Sequence, residues 1–347
     1  MAVQLDAVIV GRGLAGAVLT ETLRQRGLQV RVYDVKRPGN ASMAAAGVVN
    51  PVVLRRDVPS WRARELLPLA ERFYRGWSER TGWHGWHELP LVKLFPTPKE
   101  ADQWTRAMQS EAGQALLALL PEPELEQAGI LHPNGHGTVP RCAWLNVPAM
   151  LEAQRTALLA EGALVERVLQ REELRFTAQG VEVDGVQARW LVRCEGPFAT
   201  VPGMIPVKGE TVVVHIPGVR LSRMVHRGVF LLPLGGEHYR VGATFAWDDV
   251  FSGPSQEARQ WLLERLATFV QYPFIVEEQQ AGVRPTARDR RPLMGVVGPG
   301  EALMNGLGSR GVLLAPWCAA HLADHLFNAT LLDAEVAWDR PGLAEVS

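Results

Sequence analysis

The strongest constraint on the fold of this 347-residue chain is a run of closely spaced glycines near its start. Residues 4–10 have the apolar pattern of a buried strand, and Gly11-Arg12-Gly13-Leu14-Ala15-Gly16 follows directly. Helical periodicity then runs from Ala15 to Arg26, and Gln29 to Asp34 has the pattern of a second strand. A GxGxxG segment joining a strand to a helix is typical of the βαβ unit that binds dinucleotides. The sequence therefore predicts a Rossmann-type unit here.

Each residue type in this unit has a chemical reason to be there. Gly11 permits the tight turn, Gly13 lets a pyrophosphate approach the backbone, and Gly16 lets the helix pack on the sheet. Asp34 is placed to accept a hydrogen bond from a ribose hydroxyl. The alternative is a strand–turn–helix with incidental glycines. The predicted cofactor contacts in this unit are Gly11, Gly13, Leu14, Ala15, Gly16, Asp34, Val35 and Lys36.

The glycine motif alone does not distinguish FAD from NAD. A second cluster, made of small residues, follows the predicted ribose site and favours FAD. Such residues let the backbone lie close against a flat ligand. A tightly packed helix start would have a similar composition. The residues predicted to contact the cofactor in this segment are Ser42, Met43, Ala46 and Gly47.

Two arginines near the C-terminus lie among glycines. Arg284 belongs to the segment Gly282-Val283-Arg284-Pro285, and Arg310 lies in a glycine loop that leads into a helix predicted from Ala315 to Phe327. Such a loop aims backbone N–H groups and the positive end of a helix at an electron-rich atom. The alternative is that these arginines are simply solvated. The predicted cofactor contacts here are Gly282, Gly308, Ser309, Arg310, Gly311 and Val312.

The remaining periodicity predicts a second, mostly antiparallel sheet and several helices. Helices are expected at Arg62–Thr81, Val147–Glu161 and Ser255–Phe269. Gly235-Gly236 predicts a hairpin between the last two strands. Strands are expected at Leu89–Phe95, Val165–Leu169, Leu174–Thr177, Gly180–Val183, Trp190–Cys194, Glu210–Ile216, Val229–Leu234 and His238–Phe245.

Composition excludes several function classes. Lys plus Arg number 36 and Asp plus Glu 37, so the net charge of −1 provides no general attraction to nucleic acid. No stretch approaches the ~20 apolar residues of a membrane span, and the N-terminus lacks signal-peptide features. The three cysteines show no zinc spacing. These features predict a cytoplasmic protein without a metal site or a membrane span, in which binding of nucleic acid would require a local basic patch.

Six motifs in order resemble one family across nearly the whole chain. They are VIVGRGLAG, SMAAAGVVNP, IPVKGE, YRVGATF, GVRPTARDRRPLMG and GLGSRGVLLAP. This arrangement resembles the D-amino-acid oxidase/glycine oxidase superfamily. It is also similar to the oxidase half of the bacterial enzyme that modifies the tRNA wobble uridine.

The resemblance implies noncovalent FAD in a discontinuous Rossmann-type domain of an α/β protein, with a mostly antiparallel β-sheet substrate domain. The FAD-binding domain would comprise residues 1–60, 140–202 and 281–347, and the substrate domain residues 61–139 and 203–280. Cys318, inside the last predicted helix, is expected to be buried and not linked to flavin. The resemblance adds three cofactor contacts, namely Val168, Glu195 and Gly196.

The implied activity is oxidation of the C–N bond of a small amine or amino acid by hydride transfer to flavin, with oxygen or another acceptor left open. Arg284 would pair with a substrate carboxylate, and Arg310 would stabilise the electron-rich flavin. Phe230 stands where glycine oxidase has a tyrosine, which leaves the substrate open. One alternative is an oxidase acting on a modified tRNA base, with the basic, aromatic segment Arg55 to Trp86 as a platform, although the chain shows no fused methyltransferase domain. Another is a flavin-binding protein without turnover.

Five tryptophans concentrate in the predicted substrate domain. Base stacking is one use for such rings, but packing in the interior is the favoured interpretation because large rings usually fill core volume. The five are Trp61, Trp77, Trp83, Trp86 and Trp104.

Overall fold

The computed structural model of the chain describes residues 3–343. Its helices are α1 (Leu14–Gln25), α2 (Ala63–Thr81), α3 (Pro98–Met108), α4 (Glu111–Gln114), α5 (Pro123–Gln127), α6 (Val147–Ala160), α7 (Gln256–Ala267) and α8 (Gly311–Asn328). Its strands are β1 (Val3–Val10), β2 (Val30–Tyr33), β3 (Val48–Val49), β4 (Val52–Val53), β5 (Val58–Pro59), β6 (Trp86–Glu88), β7 (Leu91–Leu94), β8 (His136–Val139), β9 (Ala143–Leu145), β10 (Leu164–Val165), β11 (Arg175–Thr177), β12 (Gly180–Val183), β13 (Val186–Arg193), β14 (Met204–His215), β15 (Met224–Arg227), β16 (Val229–Gly235), β17 (His238–Gly242), β18 (Ile275–Ala287), β19 (Leu293–Gly298) and β20 (Glu301–Asn305).

The first sheet has the parallel core expected of a Rossmann-type domain. Strands β10, β2, β1, β13 and β20 lie side by side in that order, and each neighbouring pair is parallel. An antiparallel extension, β12 and β11, pairs with the first half of β13, and β19 pairs antiparallel with β20. The predicted α/β class with a Rossmann-type domain is confirmed.

One face of this sheet is covered by α1, α6 and α8, because each presents an apolar side to it, and α2 packs against α8. Pro316 lies inside α8 and has no N–H to donate to the carbonyl of Val312. The buried hydroxyl of Tyr74 in α2 donates to that carbonyl instead, at 3.1 Å. This bond explains how α8 begins at Gly311, four residues before the predicted start at Ala315, without leaving a buried carbonyl unpaired.

The second sheet has seven strands in the order β18-β14-β17-β16-β15-β7-β8. All its neighbouring pairs are antiparallel except β15 with β7, so the prediction of a mostly antiparallel sheet is confirmed. The β16–β17 hairpin turns at Gly235 and Gly236, both with positive φ, as their sequence indicates. Helix α7 packs on one face of this sheet around a buried apolar cluster.

Several predicted elements differ from those observed. The segment ahead of the last helix is rich in glycine, arginine and proline, a composition typical of a loop, yet residues 282–307 contain the end of β18 and all of β19 and β20. Only Val165 of the predicted strand 165–169 lies in a strand, and β17 ends at Gly242, before the expected Phe245. The two-domain division stays a prediction, and its boundary at residue 281 falls within β18, which pairs along its length with β14.

Within residues 3–343, the structure contains no helix that combines the length and apolarity needed to cross a membrane. The predicted packing role of the tryptophans is confirmed. Trp104 and Trp77 are buried, while Trp61, Trp83 and Trp86 are partly buried, and all but Trp104 pack on the core beside α1 and α2. None of these five rings lines the large cavity described below.

Candidate active site

A cavity of about 570 Å³ lies between the two sheets, and most of the residues predicted from sequence line it. Three predicted contacts do not. Gly16 lies behind the cavity wall, Lys36 is exposed, and Met43 is 49% exposed to solvent. The predicted residues that line the cavity are Gly11, Gly13, Leu14, Ala15, Asp34, Val35, Ser42, Ala46, Gly47, Val168, Glu195, Gly196, Gly282, Arg284, Gly308, Ser309, Arg310, Gly311 and Val312.

The glycine turn after β1 has the shape that a pyrophosphate requires. Gly11 has φ +91°, and a Cβ there would lie 2.6 Å from the carbonyl oxygen of Cys194. A Cβ at Gly16 would lie 1.9 Å from the oxygen of Gly11, so the third glycine allows α1 to pack against the turn. Gly13 precedes α1 without a side-chain cap and lines the cavity with Leu14. The N–H of Leu14 donates to Oγ of Ser42 at 2.9 Å, and the glycine-lined N-terminus of α1 beside it fits an anionic group.

Asp34 stands at the end of β2 on the cavity wall, where a ribose hydroxyl would be bound. Its Oδ1 accepts the backbone N–H of Arg12 at 3.0 Å, and burial raises the pKa of this carboxyl. Arg12 itself is a structural residue that the motif did not reveal. Its buried guanidinium donates to the carbonyl of Leu151 at 2.5 Å and lies 3.9 Å from Asp34, which ties the turn to α6.

The loop ahead of α8 forms the opposite wall. Residues Gly308–Arg310 make one 3-10 turn, and α8 starts directly after it with its N-terminus at the cavity. The Arg310 guanidinium donates to the carbonyl of Asn50 at 3.0 Å, and burial lowers the pKa of Arg310. A positive helix end together with a nearby guanidinium suits an electron-rich ring edge. The two walls together fit a flavin dinucleotide.

Arg284 is the strongest candidate for contact with a substrate. Its guanidinium lies 4.5 Å from the ring centroid of Phe245 and donates to the carbonyl of Thr244 at 3.2 Å. Burial lowers the pKa of Arg284 to about 10, so it is cationic at neutral pH. Among the residues that the structure describes, no carboxylate forms an ion pair with it. A mostly buried cation on a cavity wall, whose hydrogen bonding within residues 3–343 is limited to a backbone carbonyl, is suited to an anionic ligand.

The space for this guanidinium is provided by Gly209 on the neighbouring strand β14. A Cβ at Gly209 would lie 2.1 Å from both Nη1 and Nη2 of Arg284. Gly209 lies in the motif IPVKGE, but its role next to Arg284 could not be predicted from that motif, because it depends on the pairing of β14 with β18.

The second sheet contributes a row of residues, of which the sequence pointed to Phe230 and to the motif that contains Gly242 but not to Thr211, His226 or Lys93. Strand register places Thr211, Gly242, Phe230, His226 and Lys93 in line across five strands. The first four line the cavity. A Cβ at Gly242 would lie 2.8 Å from the Phe230 ring, so glycine leaves the space that this ring fills.

His226 adds a polar group at the end of this row. Its Nδ1 is buried and has no hydrogen-bond partner in the described part of the chain. Burial, and then the charge of Lys93, lower the pKa of His226 to about 4, so its imidazole is neutral at physiological pH. Lys93 is itself buried and paired with Asp57 at 2.7 Å.

Comparison with known proteins agrees with this geometry. Residues 6–325 match the family model described as DAO, FAD dependent oxidoreductase. Glycine oxidase from Geobacillus kaustophilus is 28% identical, and the match covers 92% of each chain. The crystal structure of that glycine oxidase superposes with a TM-score of 0.79 at 26% identity, covering 95% of this chain and 96% of that one.

A second group of relatives consists of larger proteins. The tRNA 5-methylaminomethyl-2-thiouridine biosynthesis bifunctional protein MnmC of Idiomarina loihiensis is 25% identical over 92% of this chain and 55% of its own length. The chain thus spans about half the length of these bifunctional relatives. The match over residues 6–325, together with the cavity that fits a flavin dinucleotide, identifies the chain as a member of the DAO family of FAD-dependent oxidoreductases, with FAD as its cofactor.

Proposed function

We propose that this protein oxidises the C–N bond of a small amino acid, or of a secondary amine that carries a carboxylate. The observation that carries the proposal is Arg284, a cation on the cavity wall without a carboxylate partner among the described residues. A substrate carboxylate would neutralise it and accept two parallel hydrogen bonds from the planar guanidinium. This pairing would fix the orientation of the substrate in the cavity.

The surrounding residues limit what can bind beside Arg284. Phe245, Phe230, Met224 and Leu91 line the same cavity and offer apolar contacts without further charge. His226 is neutral and provides a polar contact without attracting a second anion. These neighbours favour a compact substrate with one carboxylate over a dianion.

The chain's contribution to the reaction is binding and orientation. FAD, when bound, supplies the two-electron acceptor for a hydride. Arg284 would hold the substrate carboxylate so that the adjacent C–H is presented to the cofactor. Loss of this hydride would convert a neutral substrate amine into an iminium ion, and water would hydrolyse the iminium ion to a carbonyl product and a protonated amine or ammonium ion. Arg310 and the N-terminus of α8 would stabilise the negative charge that develops on the electron-rich side of the cavity.

A second candidate, oxidation of an amine on a modified tRNA base, is favoured by the MnmC relatives. The structure offers less support for it. The tryptophans of the segment Arg55 to Trp86 pack against the core instead of forming a stacking platform, and the net charge is −1. A nucleic-acid substrate would need a local basic surface that compensates for this charge.

The proposal is tested by anaerobic mixing of the yellow protein with a panel of small amino acids, N-alkyl amino acids and simple amines. We expect bleaching of the flavin absorbance by a carboxylate-bearing member of the panel. An arm with unfractionated tRNA tests the second candidate. If dithionite bleaches the flavin and no panel member does, the proposed activity is wrong and a flavin-binding role without turnover is favoured. The rate at which the reduced flavin is reoxidised is then compared between oxygen and an artificial dye, and this comparison identifies the class of electron acceptor.

A further inference from the structure

A cluster of histidine and glutamate side chains lies outside the flavin cavity, at the far end of the second sheet. His215 on β14 and His238 on β17 are direct cross-strand partners. Their rings stack with centroids 4.7 Å apart and planes 17° apart. Glu277 on β18 completes the group, and the ligand atoms of all three lie within 4.8 Å of one another. None of the three lines the cavity.

The position of Glu277 results from an irregularity in strand pairing. Val213 pairs with Glu278 and Val214 with Val276, so Glu277 is the extra residue of a β-bulge. A bulge leaves one residue out of the ladder and redirects its side chain. Here the Glu277 carboxylate comes to 3.3 Å from Nε2 of His238.

The ligand atoms of this cluster are close enough to share one cation. The lone pair of an imidazole nitrogen lies in the plane of its ring, so the two rings would turn out of their stacked arrangement for both nitrogens to bind the same ion. The charge of that ion would then lie beside Glu277. A fourth oxygen is within reach, because Oε2 of Glu237 lies 3.7 Å from Nε2 of His215.

We propose that His215, His238 and Glu277 form a binding site for a divalent transition-metal ion, with zinc as the best match. Two imidazoles and a carboxylate are a common zinc ligand set, and Glu237 or a water supplies the fourth position of a tetrahedron. Hard cations such as Mg²⁺ prefer all-oxygen ligands and octahedral geometry, so they do not match.

Metal binding would join three adjacent strands, β14, β17 and β18. Two of these carry Gly209 and Arg284, the pair that forms the proposed carboxylate site. His215 and His238 lie four residues along their strands from Thr211 and Gly242, on the same face and about 13 Å away at the usual rise per residue. The ion would therefore act on stability, because a ligand that binds only the folded state raises Tm.

The test uses the FAD-loaded protein after dialysis against a chelator. Calorimetric titration with zinc chloride should show one ion per chain, and excess zinc should raise Tm, whereas magnesium should do neither. His238→Ala and Glu277→Gln should each weaken zinc binding by at least about tenfold. Loss of a residue that only hydrogen-bonds to a metal ligand already lowers metal affinity by about that factor, and these two residues would bind the ion directly. His84→Ala, which removes an exposed histidine elsewhere, is the matched control and should leave binding unchanged.

Two results would overturn the proposal. One is the absence of both heat and a Tm shift with zinc in excess. The other is binding that the His238 and Glu277 variants leave unchanged, which would mean an adventitious ion only. Flavin content and the bleaching assay are independent readouts, so failure here does not bear on the proposed oxidase activity.

Discussion

Gly209→Ala is a sharp test of the carboxylate site because it displaces Arg284 without removing it. The new Cβ would lie 2.1 Å from Nη1 and Nη2 of Arg284, so the guanidinium must move by at least about 1.3 Å to restore a 3.4 Å contact. The atoms that clash belong to the end of a flexible side chain, and Gly209 does not need a positive φ. The fold should therefore tolerate the change while the guanidinium loses its position.

The expected loss follows from the contact that Arg284 makes. A charge-assisted hydrogen-bonded contact is worth about 1.5–3 kcal/mol, which corresponds to roughly ten- to a hundredfold in kcat/KM. Steady-state kinetics with the substrate found in the panel measures this loss, and the ratio of flavin to protein absorbance measures cofactor content. We expect Gly209→Ala to lower kcat/KM by that factor and to keep its FAD.

Gly298→Ala is the matched control, because Gly298 also lies in a strand but has open space where a Cβ would be placed. It should leave kcat/KM and flavin content unchanged. Unaltered kcat/KM in Gly209→Ala would refute the reasoning that the guanidinium must sit over this glycine. Loss of FAD in Gly209→Ala would instead indicate that the strand pair supports the cofactor.

Three further predictions concern the cofactor and the histidine of the cavity. Gly13→Val should abolish FAD binding, because a side chain there would take the pyrophosphate's space and press on Ser42. Circular dichroism should show that the variant remains folded. Normal flavin content would mean that the phosphate site is elsewhere. Acid precipitation should release all yellow colour into the supernatant, because Cys318 is fully buried, does not line the cavity and so is not placed to form a covalent bond to the flavin. Colour in the pellet would contradict noncovalent binding. His226 binds a proton less readily in the folded state than in the unfolded state, so the free energy of unfolding should fall by about 1–3 kcal/mol as the pH drops from about 6.5 to 4. Urea titrations should show a smaller fall in His226→Gln, and an identical pH dependence would contradict a neutral His226.

The Rossmann unit could be predicted because its signals are local. The spacing of Gly11, Gly13 and Gly16 and the acid at Asp34 lie within about thirty residues and agree with the periodicity around them. The strands β18 to β20 could not be predicted in this way. Glycine, arginine and proline give residues 282–307 the composition of a loop, and pairing with neighbouring strands determines their conformation instead.

The same distinction between local sequence signals and contacts made by strand pairing applies to the candidate site. Arg284 was singled out because an arginine among glycines in a family motif suggests a ligand contact, whereas Gly209 stands in the motif IPVKGE without a signal for its role and His226 belongs to no motif. Only strand register brings His226 beside Phe230 and Gly209 beside Arg284. Lys36 and Met43 do not line the cavity although their sequence neighbours do, because proximity in sequence does not determine the direction of a side chain in an irregular segment.

The central claim is that Arg284 recognises a substrate carboxylate, and one comparison tests it most directly. The rate of anaerobic flavin reduction is measured with the panel's best amino acid and with the amine that lacks its carboxylate, in the unmodified protein, Arg284→Lys and Arg284→Ala. We predict that the unmodified protein prefers the amino acid by roughly ten- to a hundredfold, that Arg284→Lys keeps part of this preference, and that Arg284→Ala loses it while retaining FAD. A preference that survives in Arg284→Ala, or loss of FAD from that variant, would contradict the claim.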